Sequence, residues 1–469
     1  MDFNERLKSA LTGAPDTSLV LLGNFEVEDQ WARGETGLPR LAFGSDSVIV
    51  NRMDEFALLL AGKSDHVVLK TAPDSDFLAY LEDLGFDLPG ILPVARNDPR
   101  NLVTEDALAD PALLTELGVL GAEGAALSAH GVSELEERLA ATAGIALAAP
   151  SAATCKAVNS KIYSRRLADA LGIRQARGWT CDDVAGLEEA FTAARAVLAA
   201  GRPVVVKDAY GVSGKGIELV EGERRLDRLL RMITKRAGQA AGGRLGLVVE
   251  EWVEKRADLN YQFTVGRDGG VRFDFVKEAL TERGVHKGHR IPARLTERQV
   301  SELKDVSGRL GESLAADGYY GVVGVDAMVD PDGGLYPVVE INARNNMSTY
   351  QTAIQEAFLG ERAAAGTTAL VRQYPLRLTR PLPFRSLRDV LGDLLFDAPG
   401  GTGLLVNNHA TANAAAPASA EPADATDRPF AGRLYGVVIA PSAERMTALD
   451  GEIGRRLAAL GERSSPDVA

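Results

Sequence analysis

One segment of the sequence restricts the fold more than any other. Residues 319–346, YYGVVGVDAMVDPDGGLYPVVEINARNN, contain two β-type runs on either side of the turn-forming sequence DPDGG. A hairpin centred on Gly333 places Asp326 directly opposite Glu340, and the two-residue period of a strand puts Asn342 on the same face as Glu340. The segment therefore predicts a hairpin that carries two opposed acids on one face.

These opposed acids predict a cation site. Directly opposed residues of a hairpin have Cβ atoms about 4.5–5.5 Å apart, so two carboxylates there repel each other. The apolar runs VVGV and VVEI indicate that the hairpin is buried, which increases the repulsion. Two carboxylates and an amide are oxygen ligands that suit magnesium, and we therefore predict that Asp326, Glu340 and Asn342 bind Mg²⁺. The alternative is a hairpin whose acids face solvent.

A glycine-rich segment upstream predicts a phosphate-binding loop. Residues 203–220, PVVVKDAYGVSGKGIELV, have the pattern strand, glycine-rich loop, strand, and Lys207 ends the first strand. Glycines such as Gly214 allow the backbone to approach a ligand closely, and Ser213 and Lys215 supply donors for phosphate oxygens. The Walker A pattern GxxxxGK[ST] is absent, so the sequence instead predicts a hairpin that folds over a triphosphate. The alternative is an ordinary turn with several glycines.

Residues 245–260, LGLVVEEWVEKRADLN, supply candidate contacts for a nucleotide base and sugar. An apolar strand in this segment ends at the sequence EEWV, where its backbone can offer hydrogen bonds to the edge of an adenine. The side chains of Glu250 and Asp258 are candidates for contacts with amino and ribose groups. The alternative is a plain strand followed by a charged loop.

Residues 158–173, VNSKIYSRRLADALGI, predict a helix that begins with a lysine. Asn159 or Ser160 is a candidate N-cap, which places Lys161 in the first turn. A positive charge there opposes the helix dipole, and this suggests that Lys161 binds an external anion. The alternative is a lysine without a ligand.

Taken in order, these segments resemble the ATP-grasp superfamily over about residues 150–350. The resemblance implies a set of site residues. Lys161 and Lys207 would bind the phosphates of ATP under the loop 210–216, Glu250, Glu251 and Val253 would hold adenine, Asp258 would contact the ribose, and Asp326, Glu340 and Asn342 would bind Mg²⁺. Many family members carry an arginine at the position of Gly324. Arg344 is the candidate to supply that charge here, as in members with the pattern Glu-x-Asn-x-Arg.

The same resemblance implies a reaction. Enzymes of this family activate a carboxylate as an acylphosphate, and an amine or another nucleophile then displaces the phosphate. The basic segment TERGVHKGHRIPAR, residues 281–294, has a net charge of +3 in a chain of −13, and its glycines favour a loop. We expect this loop to bind the carboxylate of the acyl substrate through His286, His289 and Arg290, with Arg290 and Arg344 as catalytic residues. The alternative is a solvated basic loop.

A narrower resemblance is to the pheganomycin-type peptide ligases. It is carried by the stretches NSKIYSRRLADALGI, GVHKGHR and VVEINARNNMSTYQ. It implies an enzyme of natural-product biosynthesis that joins the carboxylate of an unusual, amidino-bearing amino acid to the amine of a peptide. The alternatives are an ATP-grasp ligase of primary metabolism that uses a free amino acid or amine, and an ATP-binding regulator without turnover. A biotin-dependent carboxylase is disfavoured because the chain has no Met-Lys biotinyl motif.

The resemblance and the periodicity of the chain together predict an α/β and α+β protein with three parts. Residues 1–150 would form a Rossmann-like pre-ATP-grasp domain, with strands at 18–25, 47–50 and 66–70. Residues 151–375 would form the ATP-grasp core, divided into a lid at about 151–255 and a metal-binding half at about 256–375. Residues 376–469 would form a small α+β domain with strands GLLVNN and GRLYGVVIA.

Composition excludes several classes of protein. A net charge of −13 makes binding to nucleic acid through a basic face unexpected. Two cysteines are too few for a disulfide framework or a cysteine-rich zinc site. The sequence has no run of about 18 apolar residues and no signal-peptide pattern, so we expect a cytoplasmic protein without a membrane partner. Flat apolar helices in the first domain are compatible with a homodimer.

Overall fold

The first of three sheets is parallel. The computed structural model describes residues 1–38, 46–211, 216–239, 245–282, 285–360, 366–417 and 429–462. The sheet has the strand order β3-β2-β1-β4-β5 and comprises β1 (Leu19–Leu22), β2 (His66–Leu69), β3 (Gly90–Pro93), β4 (Ala126–Ala129) and β5 (Ala146–Leu147). This order with intervening helices is Rossmann-like, which confirms the predicted fold of the first part.

Helices surround this sheet. They are Phe3–Thr12, Val27–Trp31, Asp46–Val50, Ser75–Asp83, Val103–Leu108, Pro111–Ala122 and Glu134–Ala143, with a 3₁₀ helix at Met53–Leu59. The strand predicted at residues 47–50 was wrong, because these residues are part of the helix Asp46–Val50. Ile49 is buried in this helix, so tertiary packing determines the conformation of a run whose β-branched residues favour a strand.

A second sheet is formed by four strands in antiparallel pairs. Its order is β6-β9-β7-β8, with β6 (Gly178–Cys181), β7 (Val204–Asp208), β8 (Ile217–Val220) and β9 (Leu247–Glu251). The helices Ala152–Val158 and Lys161–Ala170 precede the sheet, and the helices Val184–Ala199 and Glu223–Gln239 connect its strands. The two predicted strands correspond to β7 and β8, and residues 212–215 of the predicted loop between them lie outside the described residues.

The third sheet has eight strands in the order β14-β13-β10-β11-β12-β15-β17-β16. They are β10 (Ala257–Val265), β11 (Val271–Glu282), β12 (Val285–Ile291), β13 (Gly321–Val329), β14 (Leu335–Asn342), β15 (Thr368–Leu378), β16 (Gly403–Asn408) and β17 (Phe430–Ala440). The α-helices here are Glu297–Ala316, Thr352–Phe358, Phe384–Leu391 and Ala443–Glu462, and the 3₁₀ helices are Thr349–Gln351, Gly392–Leu394 and Ala410–Ala412.

The C-terminal part extends this third sheet. The predicted strands GLLVNN and GRLYGVVIA are β16 and β17, and β17 pairs with β15 along its length. The strand β15 runs across residue 375, where the sequence suggested a domain boundary. The boundaries themselves stay predictions.

The basic segment 281–294 is largely a β-hairpin and not the expected loop. Strand β11 continues to Glu282, and β12 pairs with it antiparallel. Gly288, which suggested a loop, has φ of 144°, and a Cβ there would lie 1.8 Å from the carbonyl oxygen of Val371. The glycine is therefore required by the close approach of β15 and does not mark the end of a strand.

Within the described residues, none of the helices combines the length and apolar character needed to cross a bilayer.

Candidate active site

The hairpin β13–β14 presents the two predicted acids to each other. Asp326 pairs directly with Glu340, as predicted. Near the turn, Met328 pairs with Tyr336, which centres the turn one residue before the predicted Gly333. An irregularity in the pairing between Asp326 and Met328 restores the predicted register, and the acids therefore face each other although the turn is shifted.

The surroundings of Asp326 favour a bound cation. Burial, followed by repulsion from Glu340, raises the pKa of Asp326 to about 6. Asn260 Nδ2 donates to Asp326 Oδ1 at 3.0 Å, and Asn342 Nδ2 lies 3.4 Å from Asp326 Oδ2. No group of three or more His, Cys, Asp or Glu side chains in the described part of the chain could hold a metal. Two carboxylates and an amide nevertheless fit magnesium, because this ion usually retains several ligand positions for water and phosphate oxygens.

Lys161 links the hairpin to the glycine-rich loop. Ser160 is the N-cap of its helix, and Ser160 Oγ accepts a hydrogen bond from the backbone N–H of Ile162 at 3.2 Å. The buried Lys161 Nζ lies 2.5 Å from Glu340 Oε1 and donates to the carbonyl oxygen of Gly211 at 2.9 Å. The predicted helix start is therefore confirmed. Lys161 lies between the loop and Glu340, where a bound anion would need a positive charge.

A second lysine is held by a buried glutamate. Lys207 on β7 and Glu250 on β9 lie on the same face of the four-stranded sheet, and Lys207 Nζ is 2.5 Å from Glu250 Oε2. Arg165 Nη1 contacts the other oxygen, Oε1, at 3.1 Å. Burial raises the pKa of Glu250, but Lys207 and Arg165 outweigh it and hold the pKa below its usual value. Both oxygens of Glu250 are occupied, so this side chain orients Lys207.

The other predicted nucleotide contacts do not lie together in the structure. Glu251 lies on the opposite face of its strand from Glu250, and Glu251 Oε2 is 2.5 Å from Arg202 Nη1. Asp258 Oδ2 is 2.7 Å from Lys255 Nζ and accepts a hydrogen bond from Thr281 Oγ1. The remaining predictions are placed as follows: Val253 is half-buried just after β9, Ser213, Gly214 and Lys215 lie outside the described residues, and His286 belongs to β12 with its side chain outside the described atoms.

A row of polar side chains crosses four strands from the predicted metal site. Glu340, Asp326, Asn260 and Lys277 are directly opposed on β14, β13, β10 and β11. Lys277 is fully buried, and Lys277 Nζ donates to Gln351 Oε1 at 2.9 Å. Burial lowers its pKa well below the usual value. Asn260 and Lys277 were not among the predicted site residues. Both nevertheless interrupt apolar strands, at positions on the face of the sheet that carries Asp326.

The two candidate substrate residues of β12 lie on opposite faces of the sheet. His289 is on the face of Asp326, and His289 Nε2 lies 3.5 Å from Ser348 Oγ, which donates to Asn260 Oδ1 at 3.0 Å. Arg290 pairs with Glu278 on the other face, where Arg290 Nη1 is 3.3 Å from Glu278 Oε1. The structure therefore places His289 on the same face as the polar row and Arg290 on the opposite face, because neighbouring strand residues alternate between faces.

Arg344 brings the first domain into the site. Arg344 Nη2 lies 2.5 Å from Glu28 Oε1 and donates to Asn342 Oδ1 at 3.2 Å. Glu28 is on the short helix Val27–Trp31 that follows β1. At Gly324 a Cβ would lie 2.6 Å from Asn346 Nδ2, so any larger residue there would require the Asn346 side chain to move. One pocket is lined by residues of both domains, among them Glu28, Trp31, Lys161, Glu340, Asn342 and Arg344.

Two family models and several known proteins match parts of the chain. Residues 53–145 match the family described as Pre ATP-grasp domain, and residues 160–360 match the ATP binding domain of the carbamoyl-phosphate synthase L chain. The chain is 27% identical over 323 residues to the [butirosin acyl-carrier protein]–L-glutamate ligase of Niallia circulans, covering 69% of this chain and 71% of that protein. It also matches carbamoyl phosphate synthase large chains, of which it spans about a fifth of the length.

Solved structures show the same fold. The ADP complex of the N5-carboxyaminoimidazole ribonucleotide synthetase PurK has a TM-score of 0.52 and 12% identity, over 93% of this chain and 96% of that chain. A biotin carboxylase–βγ-ATP complex from Campylobacter jejuni has a TM-score of 0.52 and 17% identity, over 92% and 89% of the two chains. At these identities the likeness concerns the fold alone.

Proposed function

We propose that this chain, which belongs to the ATP-grasp superfamily as an ATP-dependent C–N ligase, joins a small carboxylate to an amine through an acylphosphate. It carries a pre-ATP-grasp domain and an ATP-grasp domain. The observation that carries this proposal is the pocket in which Lys161, Glu340 and Arg344 meet. Groups that neutralise phosphate, ligate a cation and bind a carboxylate are the three that such a reaction requires.

The proposed nucleotide site uses the residues of the two sheets. Asp326, Glu340 and Asn342 would hold Mg²⁺, which when bound offsets the charge of the phosphates. Lys161 and Lys207 would bind phosphate oxygens, and Glu250 would keep Lys207 in place through the ion pair described above. Adenine would contact the chain around Glu251 and Val253, the ribose would contact Asp258, and the loop with Ser213, Gly214 and Lys215 would cover the phosphates.

The proposed reaction has two steps. A carboxylate oxygen of the acyl substrate attacks the γ-phosphorus of ATP, and the bond to the β-phosphate oxygen breaks to release ADP. The amine nitrogen then attacks the acyl carbon and loses a proton, and the C–O bond to phosphate breaks to release phosphate. Arg344 would stabilise the oxyanion of this second step, and its contact with Asn342 Oδ1 at 3.2 Å in the same pocket supports this role.

The relatives support a proposed substrate class. The name of the Niallia circulans protein describes a ligase that acts on L-glutamate and an acyl-carrier protein, which supports an amino acid as the acyl substrate and a place in natural-product biosynthesis. The resemblance to the pheganomycin-type ligases supports an amidino-bearing amino acid and a peptide acceptor. A second candidate acceptor is a carrier protein, and this is favoured by the name of the same relative. His289 is the proposed further substrate contact, because it lies on the face of the metal site.

A screen of substrates tests the proposal. The protein is incubated with ATP, Mg²⁺ and pairs of carboxylates and amines, and ADP, phosphate and products of condensed mass are measured. We expect ADP release to require a carboxylate and a condensed product to require both partners. ADP release that is equal in the absence of any carboxylate would contradict it. The cytoplasmic location and the homodimer stay predictions, and the second is checked by light scattering.

A further inference from the structure

An ion pair between the first domain and the core lines this pocket. Glu28 of the first domain is 8% exposed, and its Oε1 lies 2.5 Å from Arg344 Nη2 of the core. The other oxygen, Oε2, is buried and has no hydrogen-bond partner among the described residues. Both side chains line the pocket that contains Lys161, Glu340 and Asn342. Glu28 therefore brings to the lining of this pocket a carboxylate of which one oxygen has no hydrogen-bond partner among the described residues.

This ion pair conflicts with the proposed task of Arg344. The guanidinium has to act on the carboxyl group of the acyl substrate, which itself carries a negative charge before activation. When Arg344 contacts the substrate, Glu28 loses all or part of its only described cationic partner. A buried carboxylate without a partner is strongly unfavourable, so a compensating cation has to arrive together with the substrate.

We propose that Glu28 binds a cationic nitrogen on the carbon next to the substrate carboxyl group, so that Glu28 and Arg344 together select an α-amino acid or its N-amidino derivative. This inference rests on the proposed ligase function. The contact between Glu28 and Arg344 places a binding group for a cation next to one for a carboxylate. The complementary ligand therefore has its own two charges side by side, which excludes an acid whose only cation is at a distant end.

The proposal assigns Glu28 a direct contact that differs from a positioning role. If Glu28 only held Arg344 in place, its loss would affect all carboxylates equally. A direct contact instead predicts that the effect depends on the charge of the substrate nitrogen. Four related acids separate these cases: an α-amino acid, its N-amidino derivative, its N-acetyl derivative and the acid without the nitrogen.

The test measures the binding of these four acids to the full-length protein with Mg²⁺ and a non-hydrolysable ATP analogue by calorimetry. The amino acid used is the one that most stimulates ADP release, or L-glutamate if none does. For the unchanged protein we expect the two cationic acids to bind at least about tenfold more tightly than the two neutral ones. In Glu28→Gln this preference disappears, because the affinity for the cationic acids falls while the neutral acids and the nucleotide analogue bind as before. Glu28→Asp, which keeps the charge, restores part of the preference.

A control variant and the pattern of results distinguish a wrong role for Glu28 from a wrong proposed function. Glu35→Gln is the control, since Glu35 Oε1 pairs with Lys156 Nζ at 3.3 Å and also joins the first domain to the core. It should leave the preference unchanged. Equal losses for all four acids in Glu28→Gln, or no preference for the cationic acids in the unchanged protein, would overturn the role of Glu28. If no acid stimulates ADP release, the ligase proposal fails, and the binding data still decide the role of Glu28.

Discussion

Lys161 Nζ lies 2.5 Å from Glu340 Oε1, although the two residues are 179 positions apart in the chain. The contact brings the start of a helix in the lid against the hairpin that carries the acids. It therefore connects the proposed phosphate site to the proposed metal site through one ion pair. An ion pair of this kind is well placed to be exchanged when ATP and Mg²⁺ bind, because each partner then gains an opposite charge from the ligand.

Glu340→Gln should abolish most of the magnesium-dependent turnover. The substitution removes one of two carboxylates, while Asp326 remains on the opposite strand. We expect kcat to fall by about 100-fold or more, a loss at the upper end of that found when the surroundings of a bound metal are altered. The measurement is ADP release as a function of Mg²⁺ concentration. Glu452→Gln, which changes an exposed pair with Arg455, is the control. Near-normal turnover in folded Glu340→Gln would remove Glu340 from the site.

Lys207→Ala should chiefly weaken the binding of ATP. The variant removes a positive charge that Glu250 holds next to the glycine-rich loop. We expect the Kd of ATP to rise about tenfold or more, consistent with the loss of a charge-assisted hydrogen bond. Titration with a fluorescent nucleotide measures the effect, and Lys235→Ala, an exposed lysine of the helix Glu223–Gln239, is the control. An unchanged Kd would show that Lys207 does not contact the nucleotide.

His289→Ala and Arg290→Ala should differ in their effect on the acyl substrate. His289 belongs to the face of Asp326, whereas Arg290 pairs with Glu278 on the other face. We expect KM for the acyl substrate to rise clearly in His289→Ala and to change by less than about threefold in Arg290→Ala, where Arg294 still pairs with Glu278. Steady-state kinetics with saturating ATP compare the two variants. A larger rise of KM in Arg290→Ala would restore the sequence-based assignment of that arginine to substrate binding.

Glu55 should make the protein less stable as the pH rises from about 4.5 to about 7. Burial raises the pKa of Glu55 from 4.5 to about 7, and it outweighs the hydrogen bonds that the backbone N–H groups of His409 and Ala410 donate to Glu55 Oε2 and that lower the pKa. In this range the folded state keeps a proton that the unfolded state releases, so the free energy of unfolding falls with pH and levels off above about 7. The contribution of Glu55 is about 3 kcal/mol, since one pKa unit corresponds to about 1.4 kcal/mol.

Glu55→Gln removes this pH dependence without removing an acceptor for the two N–H groups. Urea unfolding at pH 5 and pH 8 measures it, and the difference between the two pH values should shrink by about 2.5 kcal/mol in the variant, since part of the effect of Glu55 lies below pH 5. If the amide changes the free energy of unfolding equally at both pH values, that change cancels in this difference. An equal pH dependence in both proteins would mean that Glu55 is ionised in the folded state at pH 5.

The sequence predicted local relations within the site well. The opposition of Asp326 and Glu340 was predicted correctly, although the turn is centred one residue earlier than predicted and an irregularity between Asp326 and Met328 restores the register. The turn and the irregularity both lie within about twenty residues. The same is true of the helix start at Lys161, which depends on the neighbouring Ser160. Such relations are predictable because they are set by backbone geometry over a short stretch of chain.

Long-range relations could not be predicted in this way. Glu28 meets Arg344 only because two domains pack together, and no periodicity in either segment indicates the partner. The strand β12 was expected to be a loop because Gly288 resembles a turn residue, whereas its glycine is required by the backbone of β15. The helix Asp46–Val50 similarly results from packing that overrides the preference of its β-branched residues.

The transfer of oxygen tests the central claim most directly. The acyl substrate is labelled with ¹⁸O in its carboxyl group and converted with ATP, Mg²⁺ and the amine, and the released phosphate is analysed by mass spectrometry. An acylphosphate requires one carboxyl oxygen to leave with the phosphate, so the account predicts one ¹⁸O atom in each phosphate released during product formation. Phosphate without the label, released at the same rate as the condensed product, would contradict it.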